Sequence, residues 1–562
     1  MRPPIQTAPS GPLHARDRAR SPWPALIVLC LGSFAILLDA TIVSVAIPTV
    51  LPDLHASLDQ AVWITNAYLL VFAALLILGS RLGDMFGARR LFVIGLVLFA
   101  LSSALCGAAQ TPGQLIASRA LQGIGAAAMA PQGGTIIRMI FPRERMGTAY
   151  GIFSMMVGLA AVSGPTLGGL LTTNLDWRWV FYVNLPITVV AIAGAYRYVP
   201  DLRTVRRHRL DPVGVALAAA GLAAVVYGLI EGQRYDWGDV GFGIAIPEII
   251  GAGLAVLAVF VIWERRQDEP LIPLKLLQNR TFALLVTLAA AMQFALQSML
   301  LVNSFTMQSV LGMTAIRAGL TSLPLTIALV AVAPLAGRLT DRIGGRLVVM
   351  GGFVAYAVGI AGIALVSSVH ATPLNFAVPL LIGGVGMGAV FAPLTTESMR
   401  AAPLDQASSV AGMLNVARQL GATLGGAITG AVLANRLASA MSSRAATAAE
   451  QLPPAARGPF VAGFDHAASG GLQVGRGQSG VQVPHDVPAV LVPQIRSLTN
   501  DVFTHGYIAA MRPTLAVSIA ILLIGAASCL LLRLSRSAQP ESADRNSAHV
   551  SKEPALADHS PA

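Results

Sequence analysis

Two charged residues lie deep inside apolar parts of this sequence. Asp39 stands sixteen residues into the apolar run 23–48, and Arg119 stands six residues into the run 113–136. If these runs cross a membrane in opposite directions, a rise of about 1.5 Å per residue places both side chains at one depth in a hydrocarbon layer of ~30 Å. A buried carboxyl group paired with a cation can carry a proton by exchanging partners. The simpler alternative is a permanent ion pair that only orders the helices.

A charged turn occurs twice in the chain. The segment 80–90 separates two apolar runs, and 337–346 repeats its Leu, Asp, Gly and Arg positions 257 residues later. The segment 164–169 recurs as 421–426 at the same offset, so the chain consists of two similar halves. The charged residues of the two turns could latch the halves together in one conformation, or they could simply anchor loops at the membrane surface. They are Asp84, Arg89, Arg90, Asp341, Arg342 and Arg346.

The composition is that of a polytopic membrane protein. Of 562 residues, 55% are hydrophobic and 12% are charged, whereas soluble domains carry roughly 25% charged residues. Fourteen apolar runs are long enough to cross a bilayer. They predict an all-α fold with a six-helix bundle at 23–199, two linking helices at 212–263 and a second six-helix bundle at 282–533.

The basic residues predict the orientation of these helices. Most of them fall in alternate loops, and three lie in the short loops on the other side, Arg178, Arg234 and Arg317. This asymmetry predicts a multi-pass protein of the plasma (inner) membrane with both termini in the cytoplasm. It also explains the net charge of +11 without nucleic-acid binding. The tails 1–22 and 535–562 are predicted to be disordered, and 434–511 is predicted to be an outer loop ending in an amphipathic helix from 487.

The repeated turn resembles the signature loop of the major facilitator superfamily. The segments 177–186, 308–312 and 415–421 are similar to those of its fourteen-helix drug:proton antiporter branch, the multidrug resistance protein B and quaternary-ammonium exporter type. This resemblance implies two six-helix bundles plus two extra helices. It also implies that Asp39 takes part in proton coupling, and that Arg119, in a motif Arg-x-x-Gln-Gly-x-Gly, takes part in proton transfer.

A cluster of small residues on the fifth run resembles the antiporter motif Gly-Pro-x-x-Gly-Gly, which marks exporters in this superfamily. Small residues let helices approach closely, and a proline allows a bend, so plain close packing is the alternative interpretation. The residues concerned are Gly164, Pro165, Gly168 and Gly169.

Polar residues in the second half could line a substrate path, or they could serve as hydrogen-bonding links between helices. Arg418 lies inside an apolar run and is expected to need an acidic or carbonyl partner, whereas Glu231 and Glu397 lie near helix ends and could reach the membrane interface. The candidates for the substrate path are Gln293, Gln297, Asn303, Gln308 and Arg418.

The sequence contains no Gly-x-x-x-x-Gly-Lys-Ser/Thr loop and no His within a predicted span, so we expect neither ATP hydrolysis nor a cofactor, a metal or enzymatic catalysis. We predict a proton-coupled antiporter that exports hydrophobic or amphiphilic drugs or toxic compounds. The alternatives are a dedicated exporter of one metabolite or antibiotic and an uptake symporter, while the buried charges disfavour a membrane sensor that transports nothing. The expected partners are a small-molecule substrate, protons and the lipid bilayer, with a periplasmic adaptor if the host is Gram-negative.

Overall fold

The computed structural model describes residues 21–201, 211–232, 235, 237–241, 243–267, 274–403, 406–454, 457–458, 460–462 and 492–532. These residues form helices joined by short connections, and fourteen of the helices coincide with the fourteen predicted runs. The helices are α1 Trp23–Asp53, α2 Leu58–Phe86, α3 Ala88–Ala108, α4 Pro112–Ile140, α5 Met146–Asn174, α6 Trp179–Tyr182, α7 Asn184–Tyr198, α8 Pro212–Glu231, α9 Ile246–Glu264, α10 Leu274–Gln278, α11 Arg280–Phe305, α12 Ala315–Thr321, α13 Leu323–Ile343, α14 Gly345–Val366, α15 Pro373–Arg400, α16 Ala407–Ala449 and α17 Val492–Ser528. Most of the predicted tails, 1–20 and 533–562, lie outside the described residues.

The two repeated turns are much shorter than the sequence pattern predicted. Helix α2 continues to Phe86 and α3 begins at Ala88, so Gly87 alone reverses the chain. Its counterpart Gly344 separates α13 from α14. Both glycines have positive φ, 94° and 86°, a backbone conformation that costs other residues energy. The end of the bundle that carries Gly87 and Gly344 is called the turn face below.

The internal repeat is visible in the helix packing. In the first half α4 packs against α2 and α3, and α1 packs against α5; in the second half α15 packs against α13 and α14, and α11 packs against α16. The halves meet where α5 packs on α13 and α16 packs on α2. The pair α8 and α9 is additional, and α8 packs against both α2 and α16. The structure therefore has the predicted arrangement of six, two and six helices.

Eleven helical segments of the described residues are long and apolar enough to cross a membrane by length and composition. Helices α4 and α16 fall outside this set because they are rich in glycine and polar residues, yet they pack inside the same bundles. Helices in the interior need fewer apolar residues because their neighbours shield them from lipid. The lipid-exposed character of the outside is clear at Leu365 and Leu374, which are 77% and 81% exposed.

The predicted outer segment 434–511 differs from the structure at its start, where the chain is still helical, and agrees with it at its end, where a helix was predicted from 487. Helix α16 continues to Ala449, beyond the end of its predicted run at 433. Helix α17 begins at Val492. The buried residues Leu437 and Met441 recur one turn apart on α16 and approach Gly506 on α17. A helical apolar stripe therefore continues beyond the predicted span, which the run-length criterion could not register. Residues 463–491 lie outside the described residues.

Helices α5 and α13 touch backbone to backbone at two glycines. A Cβ atom added to Gly337 would lie 2.0 Å from the Gly147 carbonyl oxygen, and one added to Gly147 would lie 2.2 Å from the Gly337 carbonyl oxygen. Only glycine allows this approach of the two bundles.

The Gly337→Val variant should separate α5 from α13 at the turn face. Overpacking of a close contact costs about 1–3 kcal/mol, so we expect the free energy of unfolding to fall by that amount in detergent-solubilised protein. Gly351→Val is the matched control, because a Cβ atom added to Gly351 on α14 would have no other atom within 4 Å. Equal losses in the two variants would show that the Gly147 contact is not restrictive.

Candidate functional site

The first bundle contains a completely buried ion pair. Arg119 on α4 donates through Nη1 to Asp39 Oδ2 on α1, and both residues have 0% exposure. Arg119 also donates through Nε to the Ile64 carbonyl oxygen on α2 at 3.1 Å. The sequence predicted that these two residues lie at the same depth, and in the structure they are in contact. Their part in proton coupling stays a prediction.

Two amide side chains complete the shell of Asp39. Gln122 Nε2 and Asn184 Nδ2 donate to Asp39 Oδ1 at 2.9 and 3.0 Å. Gln122 Oε1 in turn accepts from Arg119 Nη1 at 2.6 Å. The carboxylate on α1 is therefore held by donors from α4 and α7, and both of its oxygens accept hydrogen bonds. This satisfies the requirement that a buried charge be paired and hydrogen-bonded.

A cavity of about 240 Å³ lies between the two bundles, beside this ion pair. Most of its wall is apolar or aromatic, with hydroxyl and amide groups between. The lining residues of the first bundle are Ser33, Ile36, Leu37, Ala40, Tyr68, Leu69, Phe72, Ala130, Gly134, Tyr150, Phe153 and Ser154. Those of the second bundle are Gln293, Phe391, Thr395, Met399, Ala411, Leu414, Asn415, Arg418 and Gln419.

Tyr68 forms the wall between the cavity and the ion pair. Its ring lies 4.3 Å from the Arg119 guanidinium carbon, and the same side chain lines the cavity. On α1 the lining residues Ile36, Leu37 and Ala40 follow helical spacing, and Asp39 lies off that stripe. The carboxylate is thus one side chain away from the cavity but is not part of its surface.

The small-residue motif of α5 packs on α1 next to Asp39. A Cβ atom added to Gly164 would lie 2.1 Å from Thr41 Oγ1, and one added to Gly168 would lie 3.0 Å from the Ile42 side chain. Gly169 is also buried. Close packing, the alternative from the sequence, is therefore what these glycines do structurally. The structure also places this small-residue motif within one turn of Asp39, which the sequence did not show.

Asp341 joins the two bundles at the turn face. Its carboxylate accepts hydrogen bonds from the Gly147 and Thr148 backbone N–H groups at 2.8 and 3.0 Å, and Arg400 Nη2 donates to it at 2.6 Å. Gly147 and Thr148 belong to the first turn of α5, which has no side-chain cap of its own. Asp341 therefore caps a helix of the opposite bundle, where a negative charge is favoured by the helix dipole.

Two further contacts close the same face. Ser80 on α2 and Ser408 on α16 hydrogen-bond each other through side chain and backbone, at 2.5 to 2.9 Å. Arg400 Nη2 also donates to the Arg143 carbonyl oxygen at 2.7 Å. These hydrogen bonds between the two bundles lie at the turn face, which is closed in this conformation.

The other charged residues of the repeated turns have different surroundings. Arg89 donates to the Tyr196 carbonyl oxygen at 3.0 Å and Arg90 lies 3.9 Å from Asp201, so both hold the end of α7 within their own bundle. Asp84 is buried one turn beyond Ser80. Arg342 is exposed and Arg346 is half-buried. Asp341, the remaining member of the six, bridges the bundles through its contacts with α5.

The substrate-path candidates separate into two groups. Gln293 and Arg418 line the cavity, whereas Gln297, Asn303 and Gln308 do not. Asn303 contacts Met307 of its own helix end, and Gln308 Nε2 donates to Ser304 at 2.8 Å. Those last two contacts link neighbouring turns of one segment.

The expectation of an acidic or carbonyl partner for Arg418 was wrong. Arg418 has neither an acidic nor a carbonyl partner among the described residues, and its Nη2 donates to Thr395 Oγ1 at 2.5 Å. Glu397 is buried at the turn face, and accepts from the Gly345 N–H at 3.0 Å and from Arg400 at 3.3 Å. Glu231 is also buried and accepts from Asn66 at 3.5 Å.

Several residues of the site were not assigned a role from the sequence. Gln122 and Asn184 occur within motifs that the sequence already showed, and each is a polar residue inside an apolar run, which was the available signal. Arg400 and Tyr68 carried no such signal, because a basic helix end and an aromatic span residue are both common. In the described part of the chain no group of three or more His, Cys, Asp or Glu residues could hold a metal ion.

A second acidic residue of α1 lies outside the span and behaves differently. Asp53 accepts from Trp177 Nε1 at 2.8 Å and from Arg178 Nη1 at 2.9 Å. These two hydrogen bonds lower the pKa of Asp53 below its ordinary value, so this carboxylate stays charged at neutral pH. The segment 177–186 thus clamps the end of α1 with its first residues and reaches Asp39 with Asn184.

Two bundles of similar helices around a cavity, with a hydrogen-bonded charge pair beside it, define a polytopic membrane transporter. The chain matches the family model described as Major Facilitator Superfamily over residues 29–426. The chain belongs to this family.

Solved structures of the family share the fold. The proton:xylose symporter XylE has a TM-score of 0.52 at 13% identity, with 72% of this chain and 87% of that chain covered. The human organic anion transporter MFSD10 has a TM-score of 0.55 at 12% identity, with 90% and 100% covered.

Curated relatives are closer in sequence. The puromycin resistance protein of Streptomyces alboniger is 36% identical, with 72% of this chain and 80% of the relative covered. The tetracenomycin C resistance and export protein of Streptomyces glaucescens is 33% identical, with 76% and 79% covered. The multidrug export protein EmrB of Haemophilus influenzae is 30% identical, with 73% and 80% covered.

The Asp341→Asn variant should loosen the turn face, because it removes the charge that caps α5 and pairs with Arg400. Charged hydrogen bonds are worth about 1.5–3 kcal/mol, so the closed conformation should lose much of its population. Spin labels on Phe86 and Ile343, which are exposed on opposite bundles, would report longer distances. Arg338→Gln, an exposed change on the same helix, is the control. Distances identical to those of the unchanged protein would exclude a latch at Asp341.

Proposed function

We propose that the protein is a proton-coupled antiporter that exports hydrophobic or amphiphilic compounds across the plasma membrane. The observation that carries this proposal is the buried carboxylate of Asp39. It is costly to bury although it is fully hydrogen-bonded, and one side chain separates it from a largely apolar cavity. Three relatives named for drug or antibiotic resistance or for export support the direction and the substrate class. The proposed reaction is movement of a compound and a proton, without covalent chemistry.

The coupling would work through the partners of Asp39. In the present conformation its two oxygens accept from Arg119, Gln122 and Asn184. A proton on the carboxyl group would remove the charge that holds Arg119 and release the guanidinium for another partner. The ion pair and the protonated carboxyl group would thus favour different arrangements of α1 and α4.

Helix α5 would transmit this change between the two ends of the protein. Beyond the middle of α5, Gly164 contacts Thr41 of α1, two residues from Asp39. Near the start of α5, Gly147 contacts Gly337, and its N–H group is held by Asp341. A helix of 29 residues spans about 43 Å. A movement of α1 against α5 is therefore connected through one continuous helix to the contact that closes the turn face.

The proposed orientation follows the basic residues, with the turn face in the cytoplasm and both termini on that side. The conformation described here would then be closed to the cytoplasm. Release of the compound to the outside and uptake of a proton from the outside would occur from such a state.

Asp39→Asn should abolish concentrative transport, because an amide cannot carry the proton. Proteoliposomes with an imposed pH gradient should show no accumulation of compound against its gradient, while exchange down a gradient continues. Asp53→Asn is the matched control, since Asp53 lies on the same helix but outside the span and stays charged. An Asp39→Asn protein that still accumulates compound would place the coupling carboxylate elsewhere.

Arg119→Ala tests whether the pair acts as one unit. The variant leaves a buried carboxylate without its counter-charge, which costs about 3–5 kcal/mol. If Asp39 and Arg119 act together, the double variant should transport little worse than either single variant, because losses within one unit do not add. Additive losses, measured as initial transport rates, would mean that the two residues work separately.

Tyr68→Ala should open a path between the cavity and the ion pair. We expect proteoliposomes containing this variant to leak protons down a pH gradient without substrate, as reported by a pH-sensitive dye inside the vesicles. Tyr68→Phe is the control, because it keeps the ring over Arg119 and loses a hydroxyl that makes only a 3.5 Å contact to the Ile36 carbonyl oxygen. A tight Tyr68→Ala protein would show that Tyr68 is not the barrier.

A further inference from the structure

Arg418 is a charged residue of the cavity that the proposed proton coupling does not use. It lies on α16 in the second bundle, across the cavity from Tyr68 and the ion pair. Its Nη2 donates to Thr395 Oγ1 at 2.5 Å, and its guanidinium carbon lies 5.7 Å from the Phe391 ring centre. A guanidinium group has five N–H donors, and a single neutral hydroxyl leaves most of them available.

The cavity has no negative charge to balance Arg418. Among the residues that line it, Arg418 is the charged one, and no carboxylate of the described residues lies within 4.0 Å of its guanidinium group. Two buried carboxylates could be considered as a counter-charge for Arg418, but both already have partners. Asp39 is held by Arg119, and Glu397 is held by Arg400 and the Gly345 N–H. Arg418 is half-buried, and a cation in a largely apolar cavity without a counter-charge is costly unless something supplies one.

The same cavity contains a second polar side chain, Gln293, with an atom that has no hydrogen-bond partner. Gln293 on α11 lines the cavity, and its Oε1 atom is buried without a hydrogen-bond partner among the described residues. The amides of Asn415 and Gln419 line the cavity from α16, on the helix that carries Arg418. A guanidinium group and several amides converge here on a space whose remaining wall is apolar and aromatic. The free N–H donors of Arg418 require an acceptor in a ligand, whereas Gln293 Oε1 requires a donor such as a hydroxyl or amide N–H on the ligand body.

We propose that the cavity selects amphiphilic anions, molecules with an apolar or aromatic body and one acidic group, and that Arg418 binds the acidic group. This substrate class rests on the proposed export function and narrows it. The acidic group would accept hydrogen bonds from Arg418, while the body lies against Phe391 and the apolar wall. Arg is suited to this role because its planar fork matches a carboxylate.

The same arrangement disfavours lipophilic cations. A cation in this space would meet the unpaired charge of Arg418 at low effective dielectric, and Asp39 could not attract it because Arg119 already neutralises that carboxylate. A neutral compound with the same body would lose the charged hydrogen bonds but would meet no repulsion. The expected order of affinity is therefore acid, then neutral compound, then cation.

Three naphthalene compounds with one body and different charge test this order: 1-naphthaleneacetate, 1-naphthaleneacetamide and (1-naphthylmethyl)trimethylammonium. Binding to the purified full-length protein in nanodiscs would be measured by isothermal titration calorimetry without a pH gradient. The acetate should bind more tightly than the amide, and the ammonium compound most weakly. Arg418→Gln should weaken acetate binding on the order of tenfold to a hundredfold and leave amide binding unchanged.

Two further variants separate a binding role from a structural one. Arg418→Lys keeps the charge without the fork and should retain part of the preference for the acetate. Arg317→Gln, an exposed change on α12, should alter nothing. Because Arg418→Gln removes an unpaired charge, we expect its thermal stability to equal or exceed that of the unchanged protein.

The proposed selectivity is overturned if the acetate does not bind, if the ammonium compound binds as tightly as the acetate, or if Arg418→Gln leaves the preference unaltered. Failure of the proposed export function gives a different result. In that case the acetate would bind through Arg418, but proteoliposomes would not accumulate it when a pH gradient is imposed. Proton-driven accumulation of the ammonium compound alone would overturn the substrate class and leave the export function standing.

Discussion

The structure of this transporter depends on the cost of placing a carboxylate in an apolar helical bundle. Asp39 has no exposure, so each of its oxygens must find donors within the protein. Those donors come from α4 and α7, and Arg119 is further tied to α2. One charge therefore fixes the relative positions of four helices. Any change in that charge must also change the positions that the four helices favour.

Helix α5 shows how a local change could have a distant effect. It carries no charge of its own near Asp39, but its glycines bring it into contact with α1 beyond its middle and with α13 near its start. The contact with α13 joins backbone to backbone at Gly147 and Gly337, and the contact with α1 seats the Thr41 side chain against Gly164, so a larger residue at these positions would force the helices apart. The capping of α5 by Asp341 adds an electrostatic contact between the bundles at the same end. The proposed coupling needs nothing more than rigid-body movement of such helices.

The two bundles have similar folds but different charges around the cavity. The first bundle contributes an ion pair hidden behind Tyr68, and the second contributes an unpaired Arg418 on the cavity surface. The second bundle thus repeats the fold of the first bundle but not its ion pair. In the functions proposed here, the first bundle handles the proton and the second handles the charge of the substrate. Such a division would keep Arg418 from pairing with Asp39.

The class of fold, the internal repeat and the common depth of Asp39 and Arg119 could all be predicted from the residues alone. Hydrophobic run length, loop charge and helical rise are local properties, so they can be read without knowing which helices touch. The remaining features depend on how the helices pack. Asp341 rather than Arg89 or Arg90 bridges the bundles, because α5 begins beside α13. The predicted outer loop is partly helix, because α16 and α17 cover each other's apolar stripes. Arg418 faces a cavity and not a carboxylate, because partnership between distant residues depends on packing, which no single stretch of sequence encodes.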